Sequence, residues 1–140
     1  MSLHPLPRSL TQRFAALLWA TGALGAGAAL AATPTDLLAG YAAQAGAAAS
    51  PVRGQQLFTT RQGREWSCST CHGATPTQPG KHASTAQAIG ALAPAANAER
   101  FTDPAKAEKW FRRNCNDVIG RECSAGEKAD VLSWLMTLKP

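Results

Sequence analysis

The chain has 140 residues, enough for one small domain, and carries a formal net charge of +5 with 16% charged residues. Hydrophobic residues make up 45% of it, but much of that share is alanine, so few large side chains are left to build a core. The mild positive charge excludes a strongly basic nucleic-acid-binding face, and the thin core is typical of small domains completed by a disulfide or a bound cofactor.

Residues 1–31 have the pattern of a secretory signal peptide. Arg8 and Arg13 precede an apolar run that ends in small residues, and this run contains three glycines and is short for a transmembrane helix. We therefore expect cleavage after Ala31, a mature domain of residues 32–140 and a periplasmic location, where thiols are oxidised. Removal of the signal takes away two cations and no acid, which lowers the net charge from +5 to +3.

Two helices are predicted before the first cysteine. A threonine cap followed by proline predicts a helix that begins at Thr33 and ends at Gly46. A serine cap followed by proline predicts a second helix that begins at Ser50 and stops before Gly63. Gly54 in this second helix indicates close packing against another helix.

Cys68, Cys71 and His72 form the pattern C-x-x-C-H, which is typical of covalent haem attachment. On one helical turn the two thiols can each form a thioether with a haem vinyl group, and His72 then serves as the proximal iron ligand. A redox dithiol and half of a zinc site are the alternatives, but neither accounts for the adjoining histidine. The motif therefore predicts one haem c.

The segment from Gly73 to Arg100 is rich in proline and glycine and is predicted to be a long loop around the haem, with a short helical turn near 84–89. A third helix is expected from Thr102 to near Asn114, with its apolar side formed by Ala107, Trp110 and Phe111. A terminal helix begins at Ser124; its apolar face is formed by Val131, Leu132, Trp134, Leu135 and Leu138.

These elements predict an all-α fold of about four helices around one covalently bound haem, with long irregular loops. The terminal helices are expected to cross near Gly54, Phe58 and Trp134. Lys81, Arg100 and Trp66 are candidate partners of the haem propionates. Six larger apolar residues are expected to surround the haem: Leu57, Phe58, Trp66, Leu92, Trp110 and Trp134.

The residue opposite His72 decides whether the haem only carries electrons or also binds small molecules. Met136 lies in the terminal helix, where a core role is the main alternative, and His82 lies in a loop where solvation is the main alternative. Asn114 is expected at the end of the third helix, where asparagine is often a C-cap. The local pattern leaves Asn114 and Asn116 equally plausible as the sixth ligand.

Cys115 and Cys123 are eight positions apart, and an oxidising compartment favours a disulfide between them. Such a bond would hold the residue beside Cys115 in place, and by the loop-entropy model it would stabilise the fold by about 2.5 kcal/mol. A zinc site or a free redox pair is the alternative for these two cysteines.

The sequence resembles the sphaeroides haem protein family, whose members are asparagine-ligated monohaem c-type cytochromes. Five segments carry this resemblance: 38–41, 68–73, 92–94, 100–103 and, most specifically, 113–130. Cytochrome c double-prime is a relative with histidine at the position of Asn114, which supports Asn114 over Asn116. The resemblance implies a ferric haem ligated by His72 and Asn114, and a disulfide between Cys115 and Cys123.

The resemblance also implies function. A carboxamide oxygen is a weak donor to ferrous iron, so we expect reduction to release the asparagine. The resemblance also implies that O2, NO or CO can then bind, and it suggests a dihaem cytochrome c and a membrane cytochrome b as electron donors. A simple electron carrier with Met136 or His82 as a permanent ligand is the alternative, and a non-haem metal or dithiol protein is a third possibility. The sequence does not decide whether the protein has oxygen-linked or nitric-oxide-linked redox activity. It favours an electron-transfer and ligand-binding haem protein over a dedicated enzyme.

Overall fold

The computed structural model describes residues 1–2 and 32–140, so the predicted signal peptide and its cleavage point lie outside the described residues. Within this part of the chain, no helix is long and apolar enough to cross a membrane. The described residues form five helices and a two-stranded sheet: α1 (Pro34–Ala45), α2 (Pro51–Thr59), α3 (Cys68–His72), β1 (Gly80–Lys81), β2 (Ala88–Ile89), α4 (Pro104–Val118) and α5 (Ala125–Leu135).

The first two helices begin where their caps predict. The Thr33 hydroxyl accepts a hydrogen bond from the Asp36 backbone N–H, and the Asp36 carboxylate accepts one from the Thr33 backbone N–H. Gly46 ends α1 in the left-handed conformation at φ +64°, which glycine adopts without strain. The Ser50 hydroxyl caps α2 by accepting from the backbone N–H of Arg53. Local capping is therefore enough to define both helices.

Helix α4 extends one turn beyond its predicted end. It begins after the Asp103 cap and continues through Asn114 to Val118, and the following residue keeps a right-handed conformation. The extra turn is favoured because Cys115 and Val118 are both buried, which prolongs the inward stripe of the helix. Asn114 is therefore inside the helix, and the expectation that it is a C-cap is wrong.

The segment between α3 and α4 holds a short antiparallel hairpin in place of the predicted helical turn near 84–89. Gly80 pairs with Ile89 and Lys81 with Ala88. The turn is closed by two backbone hydrogen bonds, from the His82 N–H to the Gln87 carbonyl (2.8 Å) and from the Ala86 N–H to the His82 carbonyl (2.9 Å). Strands of two residues are too short to show an alternating pattern in the sequence.

Helices α2 and α5 cross at Gly54, as the sequence predicts. A Cβ atom at Gly54 would overlap the backbone carbonyl of Asp130, so only glycine allows the two helices to approach this closely. The buried Asp130 carboxylate accepts hydrogen bonds from the Ser50 backbone N–H (2.6 Å) and from the Arg53 guanidinium (2.7 and 2.8 Å). The start of α2 is thereby fixed to the middle of α5.

The core consists of two adjoining clusters that share α5. The first lies between α1, α4 and α5 and contains Leu37, Tyr41, Ala107, Ala129 and Leu132. The second lies between α2 and α5 and contains Phe58, Val131, Trp134 and Leu135. Phe101 and Phe111 pack against both clusters and join them into one core.

Replacement of Gly54 tests the close crossing. We expect Gly54→Ala to lower the free energy of unfolding by about 2 kcal/mol, because the clash is with backbone and the helices must move apart. Gly40→Ala in α1 is the matched control: a Cβ there has no neighbour within 4 Å, and the helix should gain about 0.5–1 kcal/mol. Denaturant unfolding of both variants measures the difference, and equal stabilities would contradict the crossing.

Candidate functional site

The two free thiols and the predicted proximal ligand lie on α3, a single helical turn. Cys68 and Cys71 form no disulfide in the described part of the chain, and both are half-buried, as is His72. The turn begins at the buried Ser67, whose backbone N–H donates to the Thr70 hydroxyl (3.0 Å). A rigid turn of this kind presents both sulfurs and the imidazole from one short segment, as haem attachment requires.

The hairpin of β1 and β2 packs directly on α3, which the sequence did not reveal. A Cβ at Gly80 would overlap the backbone carbonyl of Cys71 and lie 3.0 Å from the Cα atom of His72. The Ala83 backbone N–H donates a hydrogen bond to the sulfur of Cys71 (3.3 Å). The only sequence signal was a glycine in the loop. The hairpin therefore supports the attachment turn from outside the core.

Aromatic side chains of α2 and α5 lie behind His72. The Phe58 ring centroid is 6.1 Å from that of His72 and 4.9 Å from that of Trp134. Cys68 packs against the second core cluster, together with Leu57, Leu92, Phe101 and Phe111. The attachment turn is thus continuous with apolar surface that a haem could extend, and of the six predicted haem neighbours only Trp110 is clearly exposed, at 41%.

Burial favours the uncharged forms of Cys68 and His72. Burial raises the pKa of the Cys68 thiol to about 11, and the neighbouring Cys71 adds to the shift. Burial lowers the pKa of His72 to about 4, and the positive charge of Arg100 lowers it further. Neutral imidazole is the form that ligates a metal. Arg100 itself donates to the carbonyls of Gly90 and Ala91 (both 2.9 Å), which anchors the loop near this site.

Asn114 lies on the inward stripe of α4. This stripe follows helical spacing through Ala107, Phe111, Asn114, Cys115 and Val118, whereas Arg113 before Asn114 and Asn116 after Cys115 are exposed. Asn114 is half-buried one turn after Phe111, which packs on the same cluster as Cys68. Its side-chain amide makes no hydrogen bond within residues 32–140, so the amide is available to a ligand.

The competing candidates lie in different surroundings. Asn116 is exposed and its amide donates to the Arg112 carbonyl (2.8 Å). Met136 follows α5 and packs on the first cluster, not on the cluster that Cys68 contacts. One ring nitrogen of His82 is bonded within the hairpin, to the Thr85 N–H (3.3 Å) and the Ser84 hydroxyl (3.2 Å). The geometry favours Asn114 over each of them.

A disulfide joins Cys115 to Cys123, with the two Cα atoms 5.6 Å apart. The loop it closes is tied to α5 because the Arg121 guanidinium forms two hydrogen bonds with the Glu127 carboxylate (2.7 and 2.8 Å). Glu127 also accepts from the Ser124 backbone N–H in the capping box of α5. The residue after Asn114 is therefore fixed by a covalent bond and an ion pair.

A cavity of about 450 Å³ lies between the segment that leads into Cys68 and the far end of α4. It is lined by Gly63, Arg64, Glu65, Trp66 and Asp117. Cys68, Cys71, His72 and Asn114 do not line this cavity. Two unpaired thiols, a neutral imidazole and an apolar border together fit a covalently attached haem.

The described residues do not provide a ligand set for a zinc ion. Among the residues that the structure describes, no group of three or more histidine, cysteine or acidic side chains is arranged to hold a metal ion. Cys115 and Cys123 are joined in a disulfide, so they offer no free thiolate to a metal ion.

Comparisons with known proteins agree with this geometry. Residues 44–135 match a family model described as "Domain of unknown function (DUF1924)". The chain is 52% identical over 107 residues to the cytochrome c-type protein SHP of Cereibacter sphaeroides, an alignment covering 74% of this chain and 82% of SHP. It is 42% identical over 80 residues to cytochrome c'' of Methylophilus methylotrophus, covering 57% of this chain and 56% of that protein.

Solved structures show the same fold. The structure of oxidised SHP, described as an oxygen-binding cytochrome c, superposes with a TM-score of 0.72 at 50% identity and covers 76% of this chain and 97% of its own. The crystal structure of oxidised cytochrome c'' gives a TM-score of 0.67 at 34% identity and covers 76% and 95%. The predicted all-α cytochrome c-like fold is thereby confirmed.

The ion pair at the disulfide loop predicts a pH dependence of stability. The Arg121 guanidinium lowers the pKa of Glu127 from 4.5 to about 2, so the stabilisation is complete above pH 4.5 and is lost as the pH falls toward 2. Glu127→Gln keeps an acceptor for the capping box but removes the charge. We expect it to lose about 1 kcal/mol in free energy of unfolding at pH 7 and to match the wild type near pH 2.

Glu122→Gln is the control for this measurement. Glu122 is 65% exposed and lies 3.7 Å from Arg112, so its removal should change the unfolding free energy by less than about 0.3 kcal/mol at any pH. A Glu127→Gln effect that persisted at pH 2 would show that it does not arise from the ion pair.

Proposed function

The chain belongs to the family of SHP and cytochrome c'' and carries one covalently bound haem c, and from this premise we propose a specific function. His72 and Asn114 are the two axial ligands of the ferric iron, and Asn114 leaves when the iron is reduced. The protein accepts electrons and binds a small diatomic molecule, O2, NO or CO, in the position that Asn114 vacates.

The placement of Asn114 is the observation that supports this proposal. Its amide has no hydrogen-bond partner among the described residues and lies on the stripe of α4 that faces the core. Phe111, one turn earlier on that stripe, packs on the same cluster as Cys68. An accessible amide with no partner in the fold is free to bind an external group, and this fits a ligand role.

The ligand type explains why reduction would release Asn114. The haem supplies a redox-active iron with one position on each face. A carboxamide oxygen is a hard, neutral and weak donor, which suits ferric iron better than ferrous iron. His72, a neutral imidazole held by α3 and backed by Phe58, is the ligand that stays.

The descriptions of the relatives support the same behaviour. SHP is described as an oxygen-binding cytochrome c. A solution structure of cytochrome c'', at 34% identity and a TM-score of 0.64, is described as giving insight into the structural basis of haem-ligand detachment. Ligand release and gas binding are thus properties named for proteins that share this fold.

The location and partners complete the proposal. The protein works in the periplasm after removal of residues 1–31, where Cys115 and Cys123 can oxidise. Its electron donors are redox proteins, a dihaem cytochrome c and a membrane cytochrome b. Electron uptake coupled to gas binding, with or without turnover of the bound gas, is the activity proposed.

Removal of the Asn114 amide tests the ligand assignment. In Asn114→Ala we expect the ferric haem to become five-coordinate or to take up water, because alanine offers no donor at the sixth position. The measurement is the ferric absorption and electron paramagnetic resonance spectrum of the purified holoprotein. A spectrum identical to that of the wild type would disprove the assignment.

Three control variants separate the alternatives. Asn116→Ala removes an exposed amide two residues further along α4, and Met136→Leu and His82→Gln remove the other two candidate ligands. Each should leave the ferric spectrum unchanged.

Carbon monoxide distinguishes a gas-binding haem protein from a simple electron carrier. We expect CO to shift the absorption spectrum of the reduced protein strongly, because Asn114 no longer occupies the sixth position. A carrier with a permanent methionine or histidine ligand would show little change. Difference spectra of reduced protein with and without CO provide the measurement, and absence of a shift would refute release of Asn114.

A further inference from the structure

The outer face of α4 carries three cations that no acid neutralises. Lys106, Lys109 and Arg113 are exposed and form no ion pair with any residue in 32–140. Their spacing of three and then four residues places them in one line along the helix. We call these three residues the basic face.

The acids near the basic face form no ion pair with it: Asp103 lies three residues before Lys106, and Asp117 lies four residues after Arg113. Glu108, the only acid between Lys106 and Arg113, forms a 2.7 Å ion pair with Lys128 of α5. Lys109 and Arg113, four residues apart, repel each other, which disfavours the helix by a small amount. Arg53 and Arg121 have acidic partners, whereas other exposed cations such as Arg61 and Lys139 have none among residues 32–140; the basic face differs because its three cations lie in one line on one helix. Folding stability therefore does not account for the basic face.

The basic face and the proposed sixth ligand belong to the same helix. Asn114 follows Arg113 directly, and because successive residues of an α-helix point about 100° apart, its half-buried side chain lies beside the exposed basic face. Trp110 lies one turn before Asn114, at the border between the two sides, and is 41% exposed with the Arg113 guanidinium 5.6 Å from its ring centroid. Along the helix axis, the basic face therefore extends from about 1.5 Å (Arg113) to about 12 Å (Lys106) from Asn114.

We propose that the basic face is the docking surface for an acidic protein that donates an electron to the haem. This inference rests on the proposed function, because it assumes an electron-accepting cytochrome. The partner loses one electron and the ferric iron gains it, and no atom passes between the two proteins. Uncancelled cations attract an acidic surface over a Debye length and raise the rate of encounter.

An anionic membrane is the other surface that three cations could attract, and the face fits it poorly. A helix that lies in a membrane interface needs a broad apolar side next to its cations. Around the basic face the only large apolar side chain is Trp110, and its other neighbours are Arg112 and Asn116. A protein with exposed carboxylates is the better match.

Charge removal at matched sites tests the proposal. The probe is reduced flavodoxin, an acidic electron-transfer protein, and the readout is the second-order rate constant for haem reduction by stopped flow. We expect Lys106→Gln/Lys109→Gln to slow this reaction about fivefold to tenfold at low ionic strength and to match the wild type at high ionic strength. The control Arg61→Gln/Lys139→Gln loses the same charge at exposed positions elsewhere and should slow it less than twofold.

The outcomes separate this inference from the proposed function. The ferric spectrum and the CO difference spectrum of Lys106→Gln/Lys109→Gln should equal those of the wild type, so a failure of Asn114 release would be seen independently. Equal rates for the two double variants would overturn the docking surface. A membrane would be the better assignment if the wild type and the control bound phosphatidylglycerol vesicles, Lys106→Gln/Lys109→Gln did not bind them, and reduction by flavodoxin was unaffected.

Discussion

The contact between α2 and α5 at Gly54 is the constraint on which the site depends. The Asp130 carboxylate binds the Ser50 N–H and the Arg53 guanidinium, which fixes where α2 begins relative to α5. Phe58 follows Gly54 by one turn, and at this close approach its ring reaches both Trp134 and His72. The Phe58 ring beside His72, the proposed proximal ligand, is therefore placed by a helix crossing that contains none of the proposed haem ligands.

Helix α5 also holds the part of the fold that carries Asn114, on the other side of the proposed iron site. Lys128 binds Glu108 of α4, and Glu127 binds Arg121 of the loop that the disulfide closes after α4. Asn114 lies between these two attachments. Both sides of the proposed iron site are thus connected to α5, through α2 and Phe58 for His72 and through two ion pairs for Asn114.

Much of this arrangement could be read from residue patterns because it depends on local chemistry. The caps at Thr33, Ser50 and Ser124, the attachment motif and the crossing at Gly54 each follow from a few neighbouring side chains. The hairpin and its hydrogen bond to Cys71 could not, because they join segments twelve residues apart through backbone groups that have no sequence signature. The last turn of α4 was missed because an asparagine after charged residues resembles a helix end, whereas the burial of Val118 continues the helix.

The position of Asn114 within a helix, and not on a loop, has a consequence for ligand affinity under the proposed ligation. A side chain held on a continuous helix moves away from the iron by rotation about its own bonds and stays within reach. It then acts as a tethered competitor with a high effective concentration. The apparent affinity for any external molecule is the intrinsic affinity divided by one plus the equilibrium constant of amide rebinding, so the geometry of α4 would scale the affinities for all such ligands by a common factor.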